Sequence, residues 1–341
     1  MRIVSLLPSA TEIVFALGLD EELVGRTDAC DHPPEAAAIP IVARSRPPAS
    51  EAGGENRDPG LETGAAPGTA ALPGAPATVR HDRTPAGDAP PADRRPQRVT
   101  QPGRLDLDAL RATAPDLVLA GEECGACGIG RAEVVQALRS WGSEAEVIAL
   151  EPASIEGILH TITTVGAMTS AEDEAIGLVE LLRERLGAIE AQVQQRRAEG
   201  VRARRVVALE WLDPPYASGL WIPEQIRRAG GWDVLGAEGR RAVETTWEAV
   251  AEVDPEQILF VPCGLDAREA AAAWERVRRP PGWHDLRAVR HGEVFALDAR
   301  SYFTRPGPRV IEGIAMLAEL FDPGGFVDEA PTEAWIPLTD P

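Results

Sequence analysis

The chain has no lysine: all 34 of its basic residues are arginine. That absence removes Schiff-base chemistry, lysine general bases and the phosphate-gripping lysine of a Walker nucleotidase. Cysteine is scarce too, with four in 341 residues, which excludes a disulfide scaffold. No window approaches the roughly 18 uninterrupted apolar residues of a membrane span, so direct membrane insertion is not expected. Positive charge is outnumbered 34 to 54, leaving a formal charge of −20 and a pI near 4.7. Without an evident basic patch, nucleic acid and anionic lipid would be repelled. The opening MRIVSLLPSATE reads as a strand and lacks the basic start, apolar run and small-residue cleavage site of a secretory signal. A cytoplasmic location is therefore the expectation from the chain as written.

What is present is ordinary in amount, 44% apolar and 26% charged residues, over a length that accommodates two cores. Residues 46–98 hold 10 of the 30 prolines, no aromatic, and only Leu61, Leu72 and Val79 as larger apolar side chains. Such a stretch cannot bury enough surface to offset its ordering entropy and is expected to be a disordered insertion. Around it, short β-rich runs alternate with helical ones: RIVSLL, ATEIVFALG, LVGRTD, LDALRAT, DLVLA, AEVVQALRSWG, EVIAL and SIEGILHTITTVG. A second series follows Arg204, from RVVALEW through QILFVP and EVFALD to PRVIEGIAMLAELF. The pattern predicts α/β architecture with two Rossmann-like lobes and parallel sheets, residues 1–168 and 201–322. Between them, Thr169 and Glu172 have capping-box spacing, and Ile176, Val179, Leu182, Leu186, Ile189 and Val193 recur at three and four. One long backbone helix over 169–200 is expected to join the lobes, with 323–341 as a loose tail.

In parallel α/β lobes ligands meet the loops at the carboxyl ends of strands. Those loops carry Pro8 and Ser9, the latter a potential cap of the next helix; Cys30, Asp31 and His32; Glu122, Cys124 and Cys127; Trp211 and Tyr216; Cys263; and Tyr302, Phe303 and Arg305. Aromatic and polar groups thus converge from both lobes. Cys124 and Cys127 form a CxxC between a strand and a helix, where redox thiols and soft-metal ligands both occur, and Cys30 and Cys263 on other loops make a four-cysteine metal site conceivable beside the plain reduced-thiol reading. GEECGACGIG does not satisfy the dinucleotide GxGxxG pattern. No nucleophile is paired with an obvious base, so a binding protein is expected rather than an enzyme.

The segments RIVSLLPSATEIVFALGL, VGRTDACDHPPEA, LDALRATAPDLVLAG, RVVALEWLDPPYASG and YFTRPGPRVIEGIAML resemble, in order and spacing, the cobalamin-binding proteins of ABC importers, a group that also includes siderophore binders. The resemblance implies a corrinoid held in the cleft between the lobes, cobalamin being the ligand and no cofactor being required. It implies stacking on Tyr216, contacts from Trp211, Tyr302, Phe303 and Arg305, and for His32 either cobalt coordination or a turn cap, the turn being preferred. It further implies an ABC permease as partner, docking on acids presented by each lobe at the matching positions Asp108 and Glu248. Two alternatives stay open: an iron-siderophore or haem-like chelate on the same fold, and a cytosolic corrinoid- or metal-handling protein using the CxxC.

Overall fold

The computed structural model describes residues 1–44, 104–121, 129–327, 329–331 and 333–338; the expected insertion over 46–98, and Glu122, Cys124 and Cys127, lie outside them. The first lobe contains β1 (Ile3–Ser5), α1 (Pro8–Ala16), β2 (Leu23–Thr27), β3 (Ile41–Arg44), β4 (Arg104–Leu105), α2 (Leu107–Ala112), β5 (Leu117–Ala120), α3 (Arg131–Ser140), β6 (Glu146–Ala149) and α4 (Ile155–Thr169). Its sheet runs in the order β4-β3-β2-β1-β5-β6, parallel except for β4. The strands are apolar on both faces because helices cover both. Ile3, Leu117 and Leu119 pack with α1, α4 and the start of the interlobe helix, while Val4, Val118 and Ala120 pack toward Leu110 of α2 and Val134 and Leu138 of α3.

The second lobe repeats the plan. It contains β7 (Arg204–Leu212), β8 (Pro215–Ala217), β9 (Gly219–Leu220), α6 (Ile222–Arg228), β10 (Gly231–Asp233), β11 (Ala237–Glu238), β12 (Val243–Glu244), α7 (Trp247–Val253) and β13 (Gln257–Phe260). There follow α8 (Ala267–Arg276), α9 (Arg287–Arg290), β14 (Val294–Leu297), α10 (Ala299–Tyr302), α11 (Val310–Phe321) and β15 (Trp335–Pro337). The order β12-β8-β7-β13-β14-β15 has a parallel centre, β7, β13 and β14, with β10 also alongside β7. One side of this sheet buries α11 and α6; the other buries Phe260, Trp274 and Trp283, with ring centroids 4.7 Å apart for Phe260–Trp274 and 4.6 Å for Trp274–Trp283. The residues after Asp322 are not simply a loose tail, because β15 adds an antiparallel edge strand to β14.

The lobes are joined by α5 (Glu172–Ala198). Its first half buries Ala175 and Val179 in the first lobe and its second half buries Leu186, Ile189 and Val193 in the second. The apolar stripe is the expected one, but the helix starts without the expected cap. Thr169 belongs to α4, where its hydroxyl donates to the Val165 carbonyl at 2.7 Å. Ser170 then turns the chain with φ 57° and Ala171 is the uncapped N-cap of α5. The fold is thus two α/β lobes with largely parallel sheets and one long connecting helix.

Candidate functional site

The loops at the carboxyl ends of the central strands bring the two lobes face to face. From the first lobe come the start of α1 and the loop after β2; from the second come the β7–β8 hairpin and the segment from α10 to α11. Pro8 opens α1 at a position where its missing N–H costs nothing. Ser9 follows it and is buried, without capping the helix: the N-cap is Leu7 and makes no side-chain cap. Opposite Ser9 lies Gly307, where a Cβ would stand 3.6 Å from the Ser9 Cα and 3.2 Å from Glu12 Oε2.

Charge dominates this contact. Arg309 donates to both carboxylate oxygens of Glu12, from Nε at 2.9 Å and from a terminal nitrogen at 2.5 Å. Arg305 donates to both oxygens of Asp31, at 2.5 and 3.3 Å, and to the Ala29 carbonyl at 3.0 Å. Arg300 stands 3.7 Å from Asp31 while donating to Asp266 at 2.9 Å and pairing with Glu269 at 3.2 Å. Burial works to raise the Asp31 carboxyl, but the Arg305 hydrogen bond and the charges of Arg305 and Arg300 outweigh it and hold the group below its usual range. His32 is exposed on the same loop, and desolvation, reinforced by Arg309, keeps its imidazole below its ordinary value and therefore neutral at pH 7.

The aromatic candidates divide. Trp211 and Tyr216 pair across the β7–β8 hairpin and are half-buried, with Trp211 donating to the Asp213 carbonyl at 3.1 Å and the Tyr216 hydroxyl to Glu244 at 3.1 Å. Burial, then the Glu244 carboxylate, pushes the Tyr216 phenol up to about 12. Tyr302 is half-buried with the Arg309 guanidinium 5.7 Å from its ring. Phe303 is a correction to the sequence reading. It is fully buried in the second core, and its carbonyl accepts from Trp221 Nε1 at 2.6 Å, so its ring is a packing group and not a ligand contact. Cys30 is buried beneath the loop, where the Thr11 hydroxyl donates to its sulfur at 3.0 Å; Cys263 follows Val261 and Pro262 in the loop after β13 and is half-buried. Among the described residues no three His, Cys, Asp or Glu side chains are grouped to hold a metal.

Asp108 and Glu248 occupy corresponding places in the two lobes. Each is exposed at the second position of a capped helix, α2 behind Asp106 and α7 behind Thr246, whose side chains accept from the Ala109 and Ala249 amides at 3.0 and 3.1 Å. Both helices give way to a residue with positive φ, Ala114 at 42° and Asp254 at 39°, each followed by proline. Sequence reasoning missed Glu12, Arg300 and Arg309, although the RPGPR run held the clue of two arginines flanking a rigid turn.

A family model described as periplasmic binding protein matches residues 67–301, more than half of the chain. The chain belongs to the periplasmic binding protein family. A curated relative, the uncharacterized ABC transporter substrate-binding lipoprotein YvrC of Bacillus subtilis strain 168, is 24% identical over 335 residues, 95% of this chain and 81% of the relative. Among solved structures, a periplasmic heme-binding protein from Pseudomonas aeruginosa superposes with a TM-score of 0.66 at 20% identity, covering 98% of this chain and 96% of that one. The periplasmic vitamin B12 binding protein BtuF of Vibrio cholerae does so with 0.60 at 18% identity, covering 94% and 96%. These likenesses establish the same fold. The family membership and the lipoprotein relative overturn the cytoplasmic location expected from the opening residues. Among the described residues no helix is long and apolar enough to cross a membrane.

Proposed function

We propose that this chain is the substrate-binding component of an ABC importer and that it carries a corrinoid, cobalamin being the ligand, in the cleft between its lobes. The observation that carries the choice of ligand is the pairing of Arg300, Arg305 and Arg309 with Asp31, Glu12, Asp266 and Glu269. A haem-like chelate presents carboxylates that call for unpaired cations, whereas a corrinoid presents amides around a broad apolar ring. Trp211 and Tyr216 supply faces for that ring. The neutral His32 supplies an imidazole at the mouth, and Pro8, Ser9 and Tyr302 add to the wall. The CxxC route to a cytosolic metal-handling protein loses its premise with the cytoplasmic location. Binding, not catalysis, is the role, and transport follows from docking of a permease on Asp108 and Glu248.

Titrating the purified protein with cobalamin is expected to quench tryptophan fluorescence with one-site saturation, and Tyr216→Ala to weaken binding by about 1–3 kcal/mol. Saturable binding of haemin with no response to cobalamin would reverse the assignment of the ligand. Reversing both acids, D108R/E248R, is expected to abolish association with the permease and leave ligand affinity unchanged, because rim charges act on encounter and register. Retained association would refute the docking assignment.

A further inference from the structure

The ion pairs at the cleft join residues that are far apart in sequence and belong to different lobes: Glu12 and Arg309 are separated by 297 positions, Asp31 and Arg305 by 274. We infer that these two pairs form an electrostatic catch that holds the lobes together across the cleft, so that the cleft opens only when the catch is broken. This inference goes beyond the assignment of a ligand and holds whichever ligand is carried.

The geometry is that of a built contact. Both pairs engage both oxygens of the carboxylate, the arrangement that a planar guanidinium fits best. The Glu12 side chain is only 4% exposed, and those of Arg305 and Arg309 are 11% and 14% exposed. The Glu12–Arg309 pair is therefore weakly screened and separating it strands a buried carboxylate, whereas Asp31 is 48% exposed and its pair with Arg305 is open to salt. Pro306 and Pro308 flank Gly307 between the two arginines, which fixes φ on either side of the point of closest approach. Gly307 leaves room there for Glu12.

The lobes have further ties. Besides α5, the Glu224 carboxylate of α6 accepts from the Ile155 amide at the start of α4 at 2.8 Å, joining the second lobe to the first. Beside these links, the two ion pairs are the charged contacts that fasten the facing loops to each other. Arg300 reinforces them by placing a second positive charge beside Asp31.

The test uses the ligand-free full chain and hydrogen–deuterium exchange over residues 28–33 and 299–313, with β1 and β7 as internal references for global unfolding. Asp31→Asn and Arg305→Gln remove opposite ends of one pair. Asp31 is half exposed, so its variant retains a folded reference. Each is expected to accelerate exchange on both facing segments about tenfold, and the double variant to fall well short of the product of the two, since the shared Asp31–Arg305 pair can be lost only once while each residue keeps a separate contact with Ala29 or Arg300. Raising NaCl to about 1 M, where the screening length falls to about 3 Å, is expected to accelerate the parent and leave the double variant unchanged. Single variants indistinguishable from the parent, or effects that multiply in the double variant, would overturn the catch. Because no ligand enters the measurement, failure of the corrinoid assignment and failure of the catch give different results.

Discussion

Asp233 offers a test of the second lobe that can be worked from its surroundings. The residue ends β10 and is 7% exposed; its Oδ2 accepts from the Ser218 hydroxyl at 2.5 Å and its Oδ1 from the amides of Leu235 and Gly236 at 3.2 and 3.0 Å. Burial raises the carboxyl, these hydrogen bonds pull it back, and burial prevails, leaving it at about 6 against an ordinary value of 3.8. The native state therefore keeps its proton at a pH where the unfolded chain has lost it, so raising the pH favours unfolding. The stability contributed by the protonated group is complete below 3.8, declines as pH passes through about 6 and is gone above it. The difference between those values corresponds to about 3 kcal/mol. Asp233→Asn keeps an acceptor for the two amides, presents a donor toward Ser218 and does not titrate. Urea unfolding of parent and variant from pH 4 to 7.5 is expected to show the variant gaining on the parent with rising pH, by most of that amount. A difference that stays constant across the range would refute the argument, whatever its absolute size.

Gly166→Ala would place a Cβ 2.4 Å from that of Ala175 and 2.8 Å from the Ala171 carbonyl, so the α4–α5 contact is expected to lose about 1–3 kcal/mol in thermal or urea unfolding, and an unchanged midpoint would contradict the packing. Trp274→Ala removes the ring shared by Phe260, Trp247 and Trp283 and is expected to cost about 3–5 kcal/mol, with loss of near-ultraviolet circular dichroism as a second readout. Thr246→Ala deletes the cap of the helix that presents Glu248 and is expected to cost about 1 kcal/mol; parent-like stability would show that the cap bond contributes nothing.

The architecture was legible because its signals are local. Alternating runs gave the strands and helices, and the stripe from Val179 to Val193 gave the joining helix, with Val179, Leu186, Ile189 and Val193 all buried. Ile176 fits the same periodicity and is 51% exposed, since periodicity marks a face but not where a neighbour ends. The cap at Thr169 misled because a hydroxyl near a helix end can also bond back into the preceding turn, as this one does. Phe303 misled for a longer-range reason: it is enclosed in the second-lobe core, where Trp221, just ahead of α6, donates to its carbonyl. The pairing of Glu12 with Arg309 and Asp31 with Arg305 left no local trace. Asp31 and Arg305 read as ligand contacts, and Glu12 and Arg309 as residues without a role, until the fold brings each partner across the cleft.

The continuity of α5 has a mechanical consequence. Domain closure in two-part proteins commonly uses loop residues that absorb large changes of φ and ψ, and a connection made of one 27-residue helix, about 40 Å long, supplies none along its length. Any change in the angle between the lobes must then be spread over many turns as elastic bending, with the backbone hydrogen bonds on the outer side lengthened a little and none exchanged. Such a link behaves as a leaf spring. It opposes opening in proportion to the angle and restores the resting shape by itself, so an emptied carrier returns ready for its next load without refolding any part of the connection.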